Sequence, residues 1–146
     1  MGYKIQPVQT NTDIYNTALG VEIQFNGPGV FVPVYSTDTQ ALNNLKNLLL
    51  TRIGERYDNP KYGTNLLNVI FQPSVEELKS DIIDIISVAV NRWLPEITIV
   101  RIDVVTAATD PVLDHDIKVT ITFTANTEKL QTIVIAADES GKMTIE

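Results

Sequence analysis

The chain has 146 residues, a formal net charge of −7 and 44 % hydrophobic residues, which suits one domain with a buried core of its own. It has no cysteine, which excludes a disulfide framework, a thiolate nucleophile and a cysteine-based zinc site. The acidic balance argues against nonspecific binding to nucleic acid or to an anionic membrane.

Residues 1–18 are polar and aperiodic, and read as an arm that gains order against a partner. They lack the apolar core of a signal peptide, and Gln6 stands where a myristoylation signal prefers Ser or Thr. Val21, Ile23 and Phe25 alternate with polar residues, Asn26-Gly27-Pro28-Gly29 turns the chain, and Val30 to Tyr35 is extended with Pro33 confining it to an edge. Residues 1–36 are therefore expected to be an arm or hairpin, and residues 37–146 the main α+β domain.

Thr37-Asp38-Thr39-Gln40 has the spacing of a capping box, and Ala41, Leu42, Leu45, Leu48 and Leu49 follow helical spacing. Asn43, Asn44, Lys46 and Asn47 fall on the wet side, and the helix is expected to end near Arg52 with Gly54 as its capping glycine. Arg52, Glu55 and Arg56 cluster in a loop punctuated by Pro60 and Gly63, followed by the short apolar run Leu66 to Phe71 and by Pro73. Ser74 to Glu77 reads as a second capping box. It opens a long helix with a stripe of Val75, Leu78, Ile82, Ile85, Ile86, Ala89 and Trp93, widened by Ile83, Val90 and Leu94 and stopped by Pro95.

The remainder reads as β. Val100, Ile102 and Val104 are expected on one face of a first strand, and Asp110-Pro111 turns the chain. Ile117, Val119, Ile121, Phe123 and Ala125 alternate with Lys118, Thr120, Thr122 and Thr124 in the clearest period-2 run of the chain. Asn126-Thr127 turns again, Leu130 to Ala137 forms a third strand, and residues 138–142 close a last hairpin onto Met143 to Ile145. The expected fold is α+β: an antiparallel sheet of three or four strands on a long helix, preceded by a helix-loop-helix and an N-terminal arm.

Catalytic chemistry finds little support. The single histidine, His115, sits between Asp114 and Asp116 near a turn, and two carboxylates without further ligands do not make a metal site. No phosphate-binding glycine loop and no paired-histidine metal motif is present, so no cofactor or metal is expected.

The run Thr51-Arg52-x-Gly54-Glu55-Arg56, then Pro60-x-Tyr62-Gly63-Thr64-x-Leu66, then Ile70-Phe71-x-Pro73, resembles the small baseplate wedge family of contractile-tailed phages, shared with the type VI secretion baseplate. The resemblance spans about Thr37 to about Ala137. It implies a structural subunit that docks on the helical core bundle of larger wedge subunits and initiates the tail sheath by strand exchange. Tail tube or hub proteins are further candidate partners, and neither nucleic acid nor a membrane is expected. The place implied is the tail baseplate of a virion, assembled in the host cytoplasm. The long arm favours a phage tail over a secretion system.

Within the family a Glu-Pro-Arg motif closes the long helix. The matching positions here are Leu94, Pro95 and Glu96, of which only the proline is kept, leaving a proline-stopped helix end that presents Trp93 or Leu94. The partner-binding residues implied are Arg52, Gly54, Glu55, Arg56, Leu94, Pro95 and Glu96. The run Leu130 to Ala137 has no lysine or proline to protect it, which points to an edge strand that takes a partner strand. The alternative is a lysozyme-like peptidoglycan hydrolase using Glu55 with Asp58. With Arg52 and Arg56 beside Glu55 in the sequence, an ion-pair role is expected to be the better reading.

Overall fold

The structure, a computed structural model, describes residues 18–22, 32–70, 75–106, 117–125, 129–137 and 143–145. The arm of residues 1–17, the Asn26 to Gly29 turn, Phe71 to Ser74, Asp110-Pro111, Asp114 to Asp116, Asn126-Thr127 and residues 138–142 lie outside them.

A two-stranded ribbon, β1 (Gly20–Val21) with β2 (Pro33–Val34), precedes three helices, α1 (Thr37–Leu50), α2 (Leu66–Ile70) and α3 (Val75–Trp93). The chain then forms β3 (Thr98–Val105), β4 (Ile117–Thr124), β5 (Leu130–Ala137) and β6 (Met143–Ile145), an antiparallel sheet in strict sequence order. This is the α+β arrangement read from the sequence, with the last hairpin present as the fourth strand.

The core lies between one face of the sheet and the helices. Val119, Ile121 and Phe123 of β4 and Ile133, Ile135 and Ala137 of β5 are buried, facing α3 through Leu78, Ile82, Ile86, Val90 and Leu94. Spacing of four along α3 makes Ile82, Ile86, Val90 and Leu94 one stripe, so Val90 and Leu94 are at its centre rather than its margin. Ile83 is exposed instead. Burying a side chain of this size stabilises by about 1.5–3 kcal/mol, so this stripe accounts for much of the cohesion between helix and sheet.

Further details depart from the expected pattern: Asn43, expected on the wet side of α1, is only 7 % exposed. Val100 is 58 % exposed, because a bulge between Ile99 and Arg101 shifts the β3 register and puts Ile99, with Ile102 and Val104, on the core face. The Thr37 to Gln40 capping box does not form: Ser36 is the extended N-cap, and the Gln40 amide donates to Asn44 Oδ1 (2.8 Å) one turn on. Finally, β5 is an inner strand, paired with β4 along its whole length and with β6 at Ile135, Ala136 and Ala137, so the edges are β3 and β6.

Candidate interaction site

Helix α1 stops at Leu50, where Thr51 turns extended (φ −80°, ψ 127°) and both its backbone N–H and its hydroxyl donate to the Asn47 carbonyl (3.1 and 2.6 Å). This, rather than Gly54, closes the helix, and Arg52 falls outside its last turn. The loop that follows is cinched at its base by Thr64, whose N–H donates to the Thr51 carbonyl (2.8 Å) and whose hydroxyl donates to the Leu49 carbonyl (3.1 Å). The Ile53 N–H donates to the Thr64 carbonyl (3.3 Å), and Arg52 and Thr64 pair as a single parallel bridge. Higher up, the Gly54 N–H donates to the Pro60 carbonyl (2.8 Å) and the Tyr62 N–H to the Asn59 carbonyl (3.0 Å). A loop whose backbone donors are satisfied internally holds one shape while remaining exposed.

Both loop glycines have positive φ, 91° at Gly54 and 117° at Gly63. At Gly54 nothing crowds the missing Cβ, so only the backbone angle demands glycine.

The Glu55 carboxylate accepts from the Arg52 backbone N–H (2.8 Å), while the Glu55 N–H donates to the Arg52 carbonyl (3.1 Å). The expected ion pair with Arg52 or Arg56 is replaced by this reciprocal clasp. The carboxylate reaches a nearby backbone donor in the turn at lower entropic cost than fixing two long exposed side chains. Both arginines are exposed, so neither is a buried charge that Glu55 must neutralise. Arg56 turns the other way: its Nη2 donates to Asn47 Oδ1 (3.1 Å) and its guanidinium lies 3.9 Å from the Tyr62 ring centre.

Tyr62 joins the loop to α3. Its ring meets Trp93 edge-on, with centres 5.4 Å apart and planes at 61°, and the Arg92 guanidinium sits 5.0 Å from the Trp93 ring centre. The result is a ladder of Arg56, Tyr62, Trp93 and Arg92 across the loop and the helix end. Burial raises the Tyr62 hydroxyl above its ordinary pKa of 10.0, with the Arg56 cation pulling the other way. A raised native value means that stability is full below pH 10.0 and falls as pH rises from there through the native value. Urea midpoints followed into the alkaline range should therefore fall for the wild type by an increment that Tyr62→Phe lacks.

The helix end differs from expectation in one residue. Leu94 is only 6 % exposed and belongs to the core, its N–H continuing the helix to the Val90 carbonyl (2.8 Å), so it is not presented to a partner. An apolar side chain that completes the Ile82, Ile86, Val90 series points inward whatever follows it. Pro95 is exposed and Glu96 half-buried beside Leu19, Thr37 and Gln40, away from the loop. Trp93 is half-buried, packed on the core and open on one side.

That side opens into a groove of about 290 Å³ between the loop and α3, with Ile53 and Gly63 on one wall and Ile85, Val88 and Trp93 on the other. Of the residues that build the site, Tyr62, Asn47 and Thr64 lie outside the partner-binding set implied by the sequence, whereas Trp93 is one of the two residues expected at the proline-stopped helix end. The one sequence signal for Tyr62 and Thr64 is their place beside Gly63 in the Pro60 to Leu66 run. Among the described residues no cluster of metal-ligating side chains forms, and no helix is long and apolar enough to cross a membrane.

Residues 37–129 match the family described as baseplate wedge protein gp25. No curated protein matches the sequence. A crystal structure of a Geobacter sulfurreducens protein described as a candidate tail lysozyme shares the fold at 17 % identity and a TM-score of 0.60, covering 69 % of this chain and 89 % of that one. A chain of the post-contraction baseplate of pyocin R2 aligns at 18 % identity and a TM-score of 0.48, over 77 % of this chain and 95 % of that one.

Proposed function

The chain belongs to the gp25 family of baseplate wedge proteins, and on that premise we propose that it is a wedge subunit of a contractile tail that starts sheath assembly by accepting a strand from a sheath subunit. The observation that carries this reading is the uneven cover of β5. Its partner β6 reaches only Ile135 to Ala137, so the outer side of Leu130 to Val134 has no neighbouring strand among the described residues. Unpaired main-chain groups along an apolar strand favour an added strand. The opposite edge is less suited, because β3 carries the bulge at Val100 and an exposed Arg101–Asp103 ion pair (2.6 Å).

The clasped loop, with Arg52, Gly54, Glu55 and Arg56, and the exposed turn at Pro95 and Glu96 are the surfaces we assign to larger wedge subunits of the core bundle. In this reading the protein works in the tail baseplate of a virion assembled in the host cytoplasm and is not an enzyme. Glycoside hydrolysis needs two carboxyl groups across a cleft. Glu55 and Asp58 instead share one exposed loop, and the Glu55 carboxylate is engaged with the Arg52 N–H.

Hydrogen exchange tests the strand. Amides of Leu130 to Val134 that face away from β4 are expected to exchange fast in the free protein and to slow by about a hundredfold or more once the first sheath ring has assembled. Unchanged exchange along β5, with the sheath in place, would mean that the sheath docks by side chains alone.

A further inference from the structure

The groove between the loop and α3 is apolar where a helix facing solvent is usually polar. Val88 is 67 % exposed on α3, and Ile53 is 56 % exposed on the loop opposite it. Half-buried Ile85 and Trp93 floor the space between them. The walls are fixed, since the loop is tied by Thr64 to the end of α1 and by Tyr62 to Trp93.

Its charges are ordered. Asp84 stands at one end of the α3 wall and Arg92 at the other, two turns apart, or about 12 Å along the helix. Lys61 lines the loop side. None of Lys61, Asp84 and Arg92 has an ion-pair partner among the described residues. Fixed charges of opposite sign at the two ends of an apolar trough select both a partner and its direction.

We propose that this groove receives an amphipathic helix of another baseplate subunit, lying antiparallel to α3. An acidic residue near the start of that helix would face Arg92, apolar residues one turn on would enter the trough beside Val88, and a basic residue a further turn on would face Asp84. The order acid first and base last also suits the dipole of the incoming helix, and antiparallel packing opposes its dipole to that of α3. This inference rests on the reading of the chain as an assembly subunit, and concerns a surface separate from the sheet edge.

The test uses the full chain and two tryptophan-free helical peptides, Glu-x-x-Leu-Leu-x-x-x-Lys and the order-reversed Lys-x-x-Leu-Leu-x-x-x-Glu, each with the same flanks. Trp93 is the only tryptophan and lines the groove, so its emission reports occupancy directly. The first peptide is expected to shift the emission saturably and to bind about tenfold more tightly than the second. Val88→Glu, an exposed position, should abolish binding of both while leaving the far-UV spectrum unchanged. Asp84→Lys combined with Arg92→Glu should invert the preference.

Silence of Trp93 with both peptides, equal affinity for the two, or a preference that the double exchange leaves uninverted would each overturn the proposal. Self-association abolished by Val88→Glu would assign the groove to a second copy and overturn it as well. Copurification with baseplate subunits is scored separately. A protein that assembles but ignores the peptides keeps its wedge role and loses only this docking site, whereas one that binds the first peptide but never copurifies loses the wedge role.

Discussion

Leu94→Asp is expected to abolish the folded state of the isolated protein. Leu94 is 6 % exposed, it completes the α3 stripe facing the sheet, and its neighbours in the core cluster are apolar. A carboxylate placed there has no cation to meet, and an unpaired buried charge costs several kcal/mol after relaxation. Domains of this size have total stabilities of about 5–15 kcal/mol, so the loss takes most or all of it. Leu94→Ala removes only packing and should cost about 2–5 kcal/mol, leaving a protein that folds with a lowered urea midpoint. A Leu94→Asp chain as stable as the wild type would return this residue to the surface and reopen its role as a contact.

Gly63→Ala is expected to be the most damaging single-methyl change in the loop, at about 3 kcal/mol or more. Two effects add. The backbone angle of 117° is one that alanine adopts only under strain, and the new Cβ would lie 2.5 Å from the Thr51 carbonyl oxygen and 3.0 Å from the Arg52 carbonyl carbon. These are backbone atoms at the cinched base, so no side chain can swing aside. The neighbouring Tyr62 must then shift, and the near-UV dichroism of the Tyr62–Trp93 pair should weaken with the stability. Gly54→Ala is the control: it has a positive φ of 91° but open space, and should cost about 1–2 kcal/mol. Equal losses at the two positions would show that the close approach at Gly63 contributes nothing.

The parts of the fold that could be read from the sequence are those where one periodicity runs unbroken. Val119, Ile121 and Phe123 alternate with polar residues, and a strand with a single buried face leaves no other solution. The outward side of Val100 is not legible, because a bulge resets the alternation without demanding any particular residue, so the chain through it still looks like an ordinary strand. On α3, ten apolar residues made the stripe wide enough that its centre could not be fixed. The burial of Val90 and Leu94 and the exposure of Ile83 follow from where the sheet sits, which is tertiary information.

The loop shows the same division. That Gly54 and Gly63 were special was legible, since few other residues suit such turns. What each did was not: the helix closes at Thr51 through hydrogen bonds to Asn47, a residue read as solvated. The proximity of Glu55 to two arginines suggested charge pairing, yet an exposed carboxylate finds a backbone N–H three residues away with less loss of freedom. The ladder from Arg56 to Arg92 joins segments far apart in the chain, and no local pattern announces it.

The strict sequence order of the sheet also bears on how fast the chain reaches this state. Each of β4, β5 and β6 pairs with the strand immediately before it, so no pairing waits for a distant segment to return. Such local closures belong to the quicker end of β folding, and they leave little time for half-formed strands to meet those of another chain. The sheet, whose pairings all join neighbouring strands, is thus expected to form early in folding.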